Sequence, residues 1–211
     1  MKCSGKENWG ILLKEIYCDN HILVLEKPAG IPTQPDFHEA AKLWVKQAFN
    51  KPGNVFLEPI HRLDKPASGL VLFARTSKAL SRLNEAMREK KMKKFYIAKV
   101  EGEVNQEGTL EHLLIHGDFR ALVDPQGKKA ILRYKRLEIA KGHSLIEVEL
   151  ETGRYHQIRA QFSAIGHPVI GDAKYGSNVY KENRIALHHY KLMIEHPVTK
   201  EALQFESIIS F

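Results

Sequence analysis

The chain has 211 residues, long enough to bury a substantial core within a single domain, and its 43% hydrophobic and 27% charged content excludes a disordered tail. No stretch approaches the roughly 20 apolar residues of a membrane span and the amino terminus lacks a signal-peptide core, so a soluble cytoplasmic protein is expected. A net charge of +7 suits a phosphate-bearing partner, and two cysteines, Cys3 and Cys18, without Cys-x-x-Cys spacing suggest neither a disulfide framework nor a structural zinc site.

In chain order, residues 1–15 read as an extension before the first strand, His21 to Glu26, which leads into Lys27-Pro28-Ala29-Gly30. Asp36-Phe37-His38-Glu39 has the form of a capping box ahead of a helix over Ala40 to Asn50. The next segment is the most informative. His61-Arg62-Leu63-Asp64-Lys65-Pro66-Ala67-Ser68-Gly69 is a turn that delivers one carboxylate to the mouth of an apolar strand, Gly69 to Arg75. An acid so placed must be protonated, hydrogen-bonded or paired with a cation. Arg62 is the local candidate; Arg154 and Arg159 are distant ones.

Ser77 can cap a helix whose Leu80, Leu83 and Met87 share one face. It runs into a basic cluster, Arg88, Lys90, Lys91, Lys93 and Lys94, that reads either as a solvated helix end or as a contact for RNA phosphates. Phe95 to Glu101 alternates with period two and puts Tyr96, Ala98 and Val100 on one face of a strand, so Tyr96 reads locally as a core tyrosine with its hydroxyl at the rim. Further strands are expected over Leu110 to Ile115, Ala130 to Ile139, Ser144 to Leu150, Ile185 to Ile194 and Leu203 to Ile208. Between them, Ile158, Phe162 and Ile165 recur at helical spacing, with Arg159 near the helix start and Gly166 and Pro168 as stop signals. His112 and His116 have the spacing of a helical metal pair, but their segment reads as a strand and lacks the His-Glu-x-x-His form, so no metal site is expected. Consecutive strands in the second half favour α+β over alternating βαβ.

Three ordered segments carry a resemblance. His61-Arg62-Leu63-Asp64 followed by Ser68-Gly69, the strand around Tyr96, and Thr152-Gly153-Arg154 with His156-Gln157-Ile158-Arg159 and Gly166-His167-Pro168-Val169-Ile170-Gly171-Asp172 resemble the motifs of the RluA type of RNA pseudouridine synthase. The likeness runs from about Ile16 to Glu206. Ala67 stands where the family usually has Thr, and Gln161 where a histidine is frequent.

The resemblance implies a single catalytic domain over residues 1–211. Its fold would be a mixed, largely antiparallel central sheet with flanking helices and a catalytic cleft, without the N-terminal RNA-binding module common in the family. It further implies isomerisation of specific uridines to pseudouridine in structured rRNA or tRNA, with no cofactor and with a stem-loop as substrate. A monomer is expected. Asp64 would be the catalytic carboxylate, Arg159 the cation that favours its charged form, and Tyr96 a ring against the target base. Arg62, Lys90, Lys91, Lys93, Lys94 and Arg154 would contact RNA, Arg62 filling the space that a flipped base vacates. Two other classes are weaker. A non-catalytic RNA-binding protein would keep the fold without needing Asp64, Tyr96 and Arg159 together, and a glycosidase needs a second acid with motif support.

Overall fold

The computed structural model describes residues 13–179, 183–209 and 211, and among these it contains eleven β-strands and three α-helices. The chain is organised as two compact units: the residues up to Met92 with Met193–Ser207, and Lys93–Leu192 with Ile208–Phe211.

In the first unit, β1 (Lys14–Cys18) pairs antiparallel with β2 (Ile22–Lys27), and β2 with β4 (Ser68–Ala74). The short β3 (Glu58–Pro59) also pairs with β4. Every residue of β4 is buried, as a continuous apolar run demands, and Ile22 to Leu25 of β2 are fully buried beside it. The helix α1 (His38–Ala48) contributes Ala41 and Val45 to this core, and Phe37, just before it, meets Phe73 of β4 with ring centroids 6.0 Å apart. Burial of these side chains is worth roughly 2 kcal/mol each before entropy is charged.

Two helix starts differ from expectation. The Asp36 to Glu39 box does not form: the residue preceding α1 is Phe37, in helical conformation, and no side chain caps it. The chain enters α1 through a turn over Thr33–Phe37, in which the His38 amide already bonds to the carbonyls of Thr33 and Pro35. At α2 (Ser77–Arg88) the cap is Thr76, one residue earlier than Ser77, its hydroxyl accepting from the Ala79 amide at 3.1 Å.

In the second unit, β5 (Lys93–Glu101) pairs with β9 (His143–Leu150), β9 with β8 (Lys128–Ala140), and β8 with β6 (Glu107–His116), all antiparallel. The three-residue β7 (Ala121–Val123) edges β6, and β10 (Leu187–Glu195) lies on the other side of β5 before running into the first unit, where β11 (Ala202–Glu206) pairs with it. The third helix, α3 (Gln157–Ala164), is buried along most of its length. Gln161 is fully buried; its amide donates to the carbonyls of Leu110 at 3.0 Å and Ala130 at 3.2 Å, tying α3 to β6 and β8. His112 and His116 lie on β6, the former 3.1 Å from that amide and the latter with its ring centroid 4.1 Å from that of Tyr155.

Candidate active site

In the first unit, backbone atoms of the loop from His61 to Ala67 are tied to the segments around it. Leu63 is buried and pinned at both polar atoms, its amide donating to Thr33 Oγ1 at 3.0 Å while that hydroxyl donates to the Leu63 carbonyl at 2.9 Å. The Ala67 amide closes a turn on the Asp64 carbonyl at 3.1 Å, and the Gly30 amide donates to the Lys65 carbonyl at 2.8 Å. Beneath the loop lies Lys27, a lysine with no exposed surface. Its ammonium donates to the carbonyls of Ala67 at 2.7 Å, Ile31 at 2.8 Å and Pro28 at 2.9 Å, with Lys65 a longer 3.5 Å away. Burial pushes its pKa down to about 8, against the opposing pull of the Asp64 carboxylate.

Gly69 completes the arrangement. It pairs with Lys27 across β2 and β4 and has φ +119°, a conformation that side chains rarely adopt. The loop is therefore fixed on both sides of Asp64, which is half-buried, and Arg62 beside it is exposed. Ala67 itself is buried, and what Lys27 uses there is its carbonyl, which any residue supplies. Sequence gives no sign of this burial, because an apolar strand ending in Lys-Pro does not show that the lysine turns inward.

The second unit holds the other two predicted catalytic residues. Tyr96 is buried on β5, and its ring stacks on His189 of β10 with centroids 4.5 Å apart and planes 20° from parallel. Arg159 is buried on α3. Its guanidinium forms a two-pronged ion pair with Asp172, Nε to Oδ2 at 2.6 Å and a terminal nitrogen to Oδ1 at 2.8 Å, and lies 4.9 Å from the Tyr175 ring centroid. This pair takes two of the five guanidinium donors. In sequence Asp172 is only the last residue of the Gly-His-Pro-Val-Ile-Gly-Asp motif; a partner thirteen residues away has no local signal.

The Thr152-Gly153-Arg154 loop before α3 is clamped by Gln157, whose buried side chain accepts from the Thr152 hydroxyl at 2.8 Å and the Arg154 amide at 2.9 Å and donates to the Ile131 carbonyl at 3.0 Å. Arg154 is exposed and donates through Nε to the Lys129 carbonyl at 3.0 Å. Of the basic cluster, Lys90, Lys91 and Lys93 are exposed, Lys91 pairing with Glu89 at 2.6 Å, whereas Lys94 is partly buried.

Solved structures place this architecture in a class. That of human RNA pseudouridylate synthase domain containing 4 superposes with a TM-score of 0.80 at 19% identity, covering 93% of this chain and 88% of that one. The human domain containing 1 gives 0.78 at 22% identity over 97% and 86%. Sequence then narrows the class. A family model described as RNA pseudouridylate synthase matches residues 21–164. The dual-specificity RNA pseudouridine synthase RluA of Haemophilus ducreyi is 34% identical over 94% of both chains. The ribosomal large subunit pseudouridine synthase C of Escherichia coli is 33% identical over 91% of this chain and 65% of its own length. The chain belongs to the RNA pseudouridylate synthase family and is of the RluA type, an isomerase that turns uridine in RNA into pseudouridine.

Proposed function

We propose that this enzyme isomerises specific uridines in structured ribosomal RNA, the substrate class named for its large-subunit relatives, or in transfer RNA, and that it does so in the cytoplasm without a cofactor. In this reading the uracil is cut from C1′, turned, and rejoined through C5. Such chemistry needs one carboxylate at the sugar, acting as nucleophile at C1′ or as base on a 2′ proton, and Asp64 is that group. The observation that carries the reading is the rigid presentation of Asp64: Thr33, Gly30 and Lys27 lock the backbone around it, so the carboxylate is positioned before substrate arrives.

Tyr96 serves as the ring against the detached base and Arg159 as the cation that favours ionised Asp64, with Asp172 setting the guanidinium plane. The protein acts as a single catalytic domain and as a monomer; Asp64 belongs to the first unit and Tyr96 and Arg159 to the second. Arg62, Lys90, Lys91, Lys93, Lys94 and Arg154 hold the RNA, which is a stem-loop. Mass-spectrometric mapping of pseudouridine in cellular RNA, with and without the gene, tests the proposal. Loss of the modification at one or a few uridines supports it, and an unchanged map refutes it.

A further inference from the structure

Lys94 differs from the rest of the basic cluster. It stands two residues before Tyr96 on β5 and so on the same face of the strand. Its ammonium lies over the Thr152-Gly153-Arg154 loop: a Cβ added at Gly153 would be 3.3 Å from Lys94 Nζ, close enough to push the ammonium by a few tenths of an ångström. The loop beneath is rigid. Besides the Gln157 clamp, the Thr152 hydroxyl accepts from the Ile131 amide at 2.8 Å, which fixes the loop to the end of β8.

Among the described residues Lys94 forms no hydrogen bond or ion pair. The nearest acid in sequence to the loop, Glu151, is committed to Arg133 at 2.7 Å. Burial lowers the pKa of Lys94, as expected for a cation deprived of water without a counter-charge. Such a group is costly to keep unless an anion joins it. The exposed Lys90 and Lys93 bear no comparable cost, and Lys91 already has Glu89.

We infer that Lys94 seats one phosphodiester group of the RNA beside the target uridine, holding it above the Gly153 backbone on the Tyr96 face of β5. The inference rests on the RNA-isomerising reading. Among RNA groups only the phosphodiester is an anion, each nucleotide bears one, and a lysine meets it as a point charge. The rigid loop makes Lys94 a register-setting contact, in contrast to the solvated lysines, which add affinity at any register.

The test uses a stem-loop RNA containing a mapped target uridine, unmodified or with one methylphosphonate replacing a single phosphate at each position flanking that uridine. Affinity and single-turnover rate are measured for wild type, Lys94→Met and Lys94→Arg, with thermal melting of each variant. Lys94→Met should weaken native RNA about tenfold or more, the scale of one charged contact. Neutralising one particular phosphate should weaken wild type by a similar factor and Lys94→Met hardly further, with Lys94→Arg intermediate. If Lys94→Met fails to fold, Lys94→Gln gives the same comparison, since it removes the charge and keeps a polar end. Equal losses on native and every neutralised RNA, or no loss at all, overturn the inference. Pseudouridine formation by wild type on the same RNA separates the two claims: an active wild type without this coupling refutes the Lys94 assignment alone, whereas an inactive, non-binding wild type removes the reading beneath it.

Discussion

Lys27 makes the Asp64 loop sensitive to pH in a direction that follows from its environment. Its pKa in the fold, about 8, lies below the ordinary 10.5 of the unfolded chain, so between those values the unfolded state binds more protons and stability rises with pH. Below pH 8 the full cost of burying the ammonium is present; above 10.5 it is gone. Relative to Lys27→Met, wild type should therefore gain about 3 kcal/mol of unfolding free energy between pH 7 and 10.5, read by denaturant titration at each pH. A difference that stays flat across that window would mean that Lys27 is not held as described. Asp172→Asn should destabilise the fold by about 3 kcal/mol, because it removes the carboxylate charge that meets a buried guanidinium at two points, while Arg154→Ala, exposed, should cost under about 0.5 kcal/mol in the same thermal melts. Tyr96→Phe should keep the stack on His189 and lose only proton transfer through the hydroxyl, whereas Tyr96→Ala should lose both. A Phe variant that traps an intermediate identifies proton transfer, and a fully active one restricts Tyr96 to stacking. At this scale sequence offers Asp64 and Tyr96 as candidates and gives no sign of the buried contacts of Lys27 or Asp172. The carboxylate announces itself by sitting among turn residues, but a buried lysine and a distant ion partner depend on how the chain closes on itself.

The strands with clear patterns, such as β2, β4 and β9, were legible because burial on one or both faces writes a period of two or an unbroken apolar run. What escaped was short or polar. β1, Lys-Glu-Ile-Tyr-Cys, is mostly half-buried, and β3 and β7 have two and three residues, too few for any periodicity. Capping went wrong by one residue at α2 because Thr76 and Ser77 are equally good caps and only the backbone decides. The end of α2 also sets up a prediction. Lys90 and Lys93 are exposed and Lys91 has only a solvated partner, so if these residues touch RNA, changing all three to Gln should flatten the slope of log affinity against log salt by up to about two units. The chemical step at saturating RNA should barely change. An unaltered slope would make the cluster an ordinary solvated helix end.

For the whole molecule, composition and order of motifs were enough to name an α+β chain and its family, since a likeness spread over most of the length outweighs any one motif. The division into two compact units was not legible, because no linker or shift in composition marks Met92 or Leu192. The central claim remains chemical: one carboxylate, held by a locked backbone in the first unit, drives the isomerisation. Asp64→Asn keeps the shape of the side chain and deletes its charge and basicity. Its single-turnover rate on a stem-loop bearing a mapped target uridine is the most direct measurement, with affinity for the same RNA determined alongside. The account predicts no detectable pseudouridine and affinity within a few-fold of wild type; a variant that retains even a few percent of the wild-type rate would contradict it.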